Sequence, residues 1–255
     1  GCRSAGRPFV WRAEAVSRPL FSLGERLSLC AAMVRPQTAL ADVGTDHAYL
    51  PVWLARKGLV RSAVAADVRP GPLQRARRNI ARYGVGGVVT ARLSDGLDSV
   101  RPEEARDVVM AGMGGLLMAR VIARTPWLRE GDRRLILQPM TSAEDLRRAL
   151  SRQGFAVLRE RCARENGHVY CVMLCAYDPP RCGGWDERFF YTGRVSAKTP
   201  ENRQYLRRQT IVLKKRIRGA RLEGRPEEAE KLSAVRAQIG ALLQRERILR
   251  RRKRI

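Results

Sequence analysis

The stretch Ala41-Asp42-Val43-Gly44-Thr45-Asp46-His47-Ala48-Tyr49-Leu50-Pro51 decides how this chain folds. Leu40 to Val43 read as a short buried strand, Gly44 permits a tight turn that brings bare backbone against a ligand, and a helix follows from about Leu50. Nucleotide-like cofactors of open α/β sheets sit at such strand ends. Ser62 to Ala66 form a second small apolar run ending in Asp67, 23 positions after Gly44. An acid there, about 20 residues beyond the glycine turn, is placed to accept hydrogen bonds from both hydroxyls of a ribose. One glycine is a weak signal, and Gly44 with Asp67 alone would also suit NAD.

Outward from this turn, apolar strands alternate with amphipathic helices. Strands are predicted at 39–43, 62–67, 87–91, 107–111, 134–138, 155–160 and 168–176, and helices at about 50–57, 70–82, 115–124 and 143–152, with a leading helix between Leu23 and Met33. The alternation predicts an α/β fold with a parallel sheet covered on both faces. The last two strands, separated by Cys162 to Gly167, read as an antiparallel hairpin at the sheet edge. Beyond Pro179 and Gly183-Gly184, steps of four and three recur at Leu206, Thr210, Leu213, Ile217 and Ala220. After a break at Gly224 and Pro226 they resume at Leu232, Val235, Ile239, Leu242, Glu246 and Leu249, which predicts an antiparallel coiled-coil helical hairpin. The expected organisation is a flexible extension over 1–20, a cofactor-binding domain over 21–180 and a basic coiled-coil domain over 181–255.

The 255 residues, 44% of them hydrophobic, allow one ordinary domain plus a smaller one. A formal charge of +25 and a pI near 11.3 point to a polyanionic partner, nucleic acid first. Only six of the 50 basic residues are lysine, an arginine excess that coding bias also produces. Residues 201–255 hold 18 basic and six acidic side chains, so a net +12 sits in about a fifth of the chain. These arginines suit either a solvated coiled-coil face or phosphate contacts; the cluster Arg250 to Arg254, past the last apolar step, favours phosphate.

Six cysteines without a Cys-x-x-Cys pair, and only two histidines, argue against a zinc site and for reduced thiols in a cytosolic protein. No run approaches about 18 apolar residues, so no membrane span is expected. Arg3, Arg7, Arg12 and Arg18 with the single acid Glu14 faintly resemble a transit peptide, without its sustained amphipathic pattern.

Two further loops lie at predicted strand ends. In Ser94-Asp95-Gly96-Leu97 an acid and a glycine can border the base of the same cofactor, although alone this is an ordinary Asp-Gly turn. In Met110-Ala111-Gly112-Met113-Gly114-Gly115 three glycines leave a side-chain-free floor for a flat substrate, or serve close packing.

The blocks DVGTDHAYLP, AADVRPGPLQRARRNI, SDGL, MAGMGG, LILQP and NGHVYCVML resemble the bacterial TrmK-type tRNA adenine-N1 methyltransferases, from about Leu23 to Ala176. DHAYLP and AGMGG are the specific signatures; the rest is common to many class I methyltransferases. The resemblance implies a seven-stranded Rossmann-like domain followed by a helical hairpin, S-adenosylmethionine as cofactor, and methylation of N1 of the adenine at tRNA position 22. It places Asp42 and Gly44 at the methionine end of the cofactor, Asp67 at the ribose hydroxyls and Asp95 and Gly96 at the adenine ring, with Val68, Ala111 and Gly112 as further cofactor-binding residues. Asp46 takes the place of the proposed catalytic acid. His47, Tyr49, Met113, Gly114 and Gln138 fall on the substrate side. No metal is implied, and a cytoplasmic monomer acting on tRNA is expected.

The chemistry suits these residues. Adenine N1 has an in-plane lone pair and can attack a sulfonium methyl directly, so the enzyme mainly aligns the two. The methylated ring becomes cationic, and a carboxylate such as Asp46 near the exocyclic amine could stabilise that charge or accept a proton. Asp46 could instead cap the turn, and Tyr49 could equally pack beneath it. Met140 stands where family members often carry asparagine, which removes a polar substrate contact. Two other readings remain open at this point. One is an NAD oxidoreductase, disfavoured because positions 46 and 49 are Asp and Tyr rather than the glycines of GxGxxG. The other is a non-catalytic RNA-binding protein with a vestigial cofactor fold.

Overall fold

The structure, a computed structural model, describes residues 19–252, with side chains described as far as Leu249. The extension expected over 1–20 therefore lies almost wholly outside the described residues, as do the side chains of the Arg250 to Arg254 cluster. Seven strands form one sheet: β1 (Thr38–Val43), β2 (Val60–Asp67), β3 (Val89–Leu93), β4 (Asp107–Gly114), β5 (Arg134–Thr141), β6 (Phe155–Glu165) and β7 (His168–Tyr177). Their spatial order is β3-β2-β1-β4-β5-β7-β6. The first five run parallel, whereas β7 inserts antiparallel between β5 and β6, so the sheet is mixed.

Helices cover both faces: α1 (Glu25–Ala31), α2 (Tyr49–Arg56), α3 (Pro70–Arg82), α4 (Gly115–Ala123) and α5 (Ala143–Arg152). The fully buried β1 shows why: Ala41 and Val43 pack on one side of the sheet and Leu40 on the other, in two separate apolar clusters. α3 shows how sequence sets a helix. Pro70 occupies its first turn, Leu73, Ala76 and Ile80 bury one stripe, and Gly84, at φ +64°, ends it in the left-handed conformation that glycine adopts without strain.

Several boundaries differ from expectation: β2 starts two residues early, and β4 and β5 run on to Gly114 and Thr141, so the glycine run at 111–114 is the end of a strand. β3 starts at Val89, because Gly86 and Gly87 stay in the preceding turn. The β6–β7 loop is only two residues, since Asn166 (φ +50°) and Gly167 (φ +78°) both take the left-handed conformation of a tight hairpin turn.

Three further helices follow: α6 (Glu187–Thr192), which the sequence pattern does not signal, then α7 (Pro200–Leu222) and α8 (Pro226–Arg252). The Thr199 side chain accepts from Asn202 N–H at 3.2 Å to cap α7, and Gly224 with Pro226 makes the turn into α8. Leu206, Leu213, Ile217 and Ala220 face Leu232, Val235 and Ile239 as the heptad spacing requires. Thr210 does not join them; Gln209 is buried instead. The pair also packs on the sheet, because Val169 and Cys171 of β7 and Tyr191 of α6 share its core.

Candidate functional site

Between β1 and β4 the chain order reverses, and the carboxyl ends of both strands open a crevice of the kind that binds ligands in α/β sheets. A cavity of about 610 Å³ fills it. Asp42, Gly44, Asp46, His47 and Tyr49 line it from β1 and the turn into α2. Asp67 and Val68 reach it from the end of β2, Asp95 and Gly96 from the turn after β3, and Ala111, Gly112 and Met113 from the end of β4.

Backbone constraint shapes the turn. Gly44 sits at φ +71°, and a Cβ there would lie 3.1 Å from Met113 Sδ. Asp46 (φ +48°) and Ala48 (φ +56°) hold the same left-handed conformation without being glycine. Such residues are costly and gather where a site fixes them. Here the fixing contacts are the Gly44 and Thr45 N–H groups, which donate to Ala66 O at 2.8 and 3.0 Å, and Asp46 N–H, which donates to Asp67 Oδ2 at 3.2 Å.

The carboxylates are held differently. Asp42 is buried, and burial pushes its pKa up to about 6; the hydrogen bond from the Thr45 hydroxyl at 2.5 Å opposes the rise, the neighbouring Asp67 adds to it, and Arg26 opposes it. Asp67, also buried, takes one backbone N–H on each oxygen, from Asp46 and from Arg69 (2.9 Å). Each oxygen keeps a second acceptor site, as two ribose hydroxyls would need. Asp46 is half-exposed at the mouth: its Oδ1 accepts from Arg75 Nη2 at 2.7 Å and its Oδ2 lies 3.5 Å from His47 Nε2. The His47 and Tyr49 rings stack at 5.1 Å, and Phe21 meets Tyr49 edge-on at 5.2 Å, so Tyr49 both packs and faces the cavity. Asp95 is exposed, and its hydrogen bond from Arg124 holds its carboxyl below the usual carboxylate range.

Two residues expected on the substrate side stand elsewhere. Gln138 is fully buried; its Oε1 accepts from Gly112 N–H (3.0 Å) and from Arg26 Nη1 (2.8 Å), so it braces the glycine loop and does not form the pocket rim. Gly114 does not line the cavity either, because it caps α4 and packs beside Thr141. The residues that sequence reasoning missed are Arg26, Thr45, Arg69 and the apolar wall of Leu117 and Val121. Only Thr45, inside the opening stretch, carried a local signal.

The lining suits S-adenosylmethionine: a buried acid for ribose hydroxyls, a second acid for a cationic tail, and Val68, Leu117 and Val121 beside a flat base. Gly96 and Gly112, at φ +62° and +82°, keep the floor free of side chains.

Comparison with known proteins agrees with this geometry. The family described as "Methyltransferase domain" matches residues 23–173. The chain is 32% identical over 152 residues to the tRNA (adenine(22)-N(1))-methyltransferase of Bacillus subtilis, a match covering 60% of this chain and 64% of that enzyme, less than two thirds of its length. The crystal structure of the B. subtilis M1A22 tRNA methyltransferase TrmK superposes with a TM-score of 0.76 at 25% identity, covering 87% of this chain and 99% of that one. A Streptococcus pneumoniae protein solved in complex with S-adenosyl-L-methionine gives 0.74 at 29% identity, covering 87% of this chain and 100% of that one. With the sheet order, the crevice at the switch point and these matches in agreement, the chain belongs to the methyltransferase domain family, among homologues of the bacterial tRNA m1A22 methyltransferases.

Proposed function

We propose that this protein transfers a methyl group from S-adenosylmethionine to N1 of adenine 22 in tRNA. The observation that carries the reading is that one cavity gathers Asp42, Gly44, Asp67 and Asp95 with Asp46, His47 and Tyr49 at its mouth, in a chain similar to an enzyme named for that reaction. The cofactor supplies an electrophilic methyl on a sulfonium. Gly44 and Gly112 give it room, Asp67 accepts from its ribose hydroxyls, and Asp42 and Asp95 flank its two ends. Met113 and Leu117 give the same cavity an apolar wall.

Asp46 is the group we assign to the developing positive charge on the adenine ring. Arg75 fixes its position, and its location at the mouth is where an unstacked base enters. His47 and Tyr49 offer a ring face to that base. The hairpin of α7 and α8, residues 181–255 in the broader division, supplies the grip on the tRNA body. Among the described residues no helix is long and apolar enough to cross a membrane, and the described cysteines form no disulfide. A tRNA substrate and free thiols together support a cytoplasmic location.

The deciding experiment treats unmodified tRNA with the protein and methyl-labelled S-adenosylmethionine and maps the product by mass spectrometry. Label on N1 of adenine 22 is expected; label elsewhere, or none, would reject the reading.

A further inference from the structure

The β6–β7 hairpin sets two cysteines face to face. Its turn is Asn166-Gly167, flanked by the pair Glu165 and His168, and the ladder runs outward through Arg164–Val169 and Ala163–Tyr170 to Cys162–Cys171. Pairs in such a hairpin alternate from the hydrogen-bonded pair beside the turn, which makes Cys162–Cys171 a non-hydrogen-bonded pair. Pairs of that kind hold their Cα atoms about 4.5 Å apart with both side chains on one face, inside the span of about 4.4–6.8 Å that a disulfide bridges. Both cysteines pack on the apolar cluster of α7 and α8, and their thiols are hydrogen-bonded to each other. Among the described cysteines no other pair stands opposite in the ladder, since Cys175 faces Leu135 and Val157.

The two thiols differ in access. Cys162 is partly exposed; Cys171 is buried, its Sγ donating to Glu160 Oε1 at 3.7 Å and accepting from Arg147 Nη2 at 3.9 Å. Hydrogen bonding with Cys162, and then burial, push the Cys171 thiol well above its ordinary value against the pull of Arg147. Cys171 therefore stays protonated until a reaction at Cys162 reaches it. We infer that Cys162 and Cys171 are a reversible dithiol–disulfide site whose oxidant is a small disulfide of the glutathione class. The Cys162 thiolate attacks that disulfide, forming a mixed disulfide and releasing one small thiol. The Cys171 sulfur then attacks the Cys162 sulfur, and its proton leaves with the second small thiol. Two protein S–H bonds and one small-molecule S–S bond are consumed; one protein S–S bond and two small-molecule S–H bonds form. The site lies outside the cofactor cavity, on the platform where β6 and β7 meet Tyr205, Leu206 and Leu213 of α7. Oxidation takes the S–H donor from Glu160, which pairs with Arg147 at 2.7 Å, so it is felt where the helical hairpin joins the sheet. A reducing compartment keeps the pair as thiols until such an oxidant rises.

Peptide mapping of the full chain tests this without turnover. The folded protein is equilibrated in mixtures of reduced and oxidised glutathione, and free thiols are then blocked with N-ethylmaleimide in denaturant. Trypsin cuts after Arg161 and Arg164 and so separates the two cysteines. The oxidised parent is expected to yield residues 162–164 linked through sulfur to the peptide that starts at Glu165, with Cys171 as the partner and Cys175 blocked. Dithiothreitol is expected to release the link. Cys162→Ser should abolish it and leave Cys171 free, whereas Cys171→Ala should leave Cys162 carrying a glutathione adduct. A glutathione adduct on Cys162 of the parent in place of the link would overturn the inference, as would a link that forms only after unfolding. A Cys175–Cys182 bond in its stead would also overturn it, since Cys182 is close enough to influence Cys175.

Discussion

Asp42 is a carboxylate only 5% exposed in the cavity wall. Its pKa of about 6 lies above the ordinary carboxylate value because burial disfavours the anion more than the Thr45 hydroxyl and Arg26 favour it. The sign follows for both stability and binding. A folded-state pKa above the unfolded one contributes stability that is fully present below the unfolded value of 3.8 and lost as pH rises through about 6. Binding of an ammonium group needs the anion, so affinity for S-adenosylhomocysteine is expected to fall as pH drops from 7 to 5, opposite to the stability trend. Asp42→Asn should flatten that profile in calorimetry. At Asp46 the expectation is separation of binding from chemistry: Asp46→Ala should keep cofactor affinity within a few-fold while single-turnover methylation falls about 10²–10⁴-fold. A variant that methylates tRNA at the parent rate removes Asp46 from the mechanism. Gly44→Ala would place a side chain at φ +71° against Met113, and should weaken cofactor binding and cost about 1 kcal/mol of stability.

Among the elements, those that local chemistry dictates were legible from sequence. α3 runs over residues 70–82 as its proline start and apolar stripe require, and the turn from Gly44 to Tyr49 is read correctly because glycine and chain direction define it. What sequence could not carry is contact between distant segments. Gln138 reads as a polar strand end suited to a pocket rim, yet α1 and the glycine loop converge on it from 112 and 26 positions away. Arg147 reads as one more cation on the amphipathic α5. It is fully buried, donating to Glu160 Oε1 (2.7 and 2.9 Å), Tyr205 OH (2.8 Å) and Phe190 O (2.7 Å), and so joins α5, β6, α6 and α7. Gly193 is part of the same knot, since a Cβ there would collide with the Glu160 carboxylate. Removing one partner leaves the other charge buried and alone. Arg147→Met should therefore cost about 3–5 kcal/mol, a fall of roughly 10 °C in thermal midpoint, and adding Glu160→Gln should recover part of it. If Arg147→Met melts with the parent, the knot is not what fastens the hairpin to the sheet.

The molecule as a whole concentrates its positive charge on the hairpin, and the shared core decides how that charge can be tested. Deleting the hairpin would strip Tyr205, Leu206 and Leu213 from the apolar cluster they share with Val169 and Cys171, so a failure to bind tRNA would be indistinguishable from a damaged sheet. Surface substitutions avoid that. Lys214, Arg218 and Arg221 follow one exposed line along α7, and Arg236 of α8 closes the groove beside them, a hollow of about 430 Å³. None of the four is buried, so replacing them with glutamine leaves the core untouched. If these side chains neutralise phosphates, each replacement lowers the number of counterions released on binding. The slope of log affinity against log salt should then become shallower by roughly 0.7–0.9 for every phosphate no longer neutralised. The quadruple variant is thus expected to bind tRNA more weakly at low salt and to converge on the parent at high salt, with S-adenosylhomocysteine affinity unchanged in calorimetry. A parallel salt dependence for the two proteins would move the tRNA-gripping surface off this groove and onto another face of the molecule.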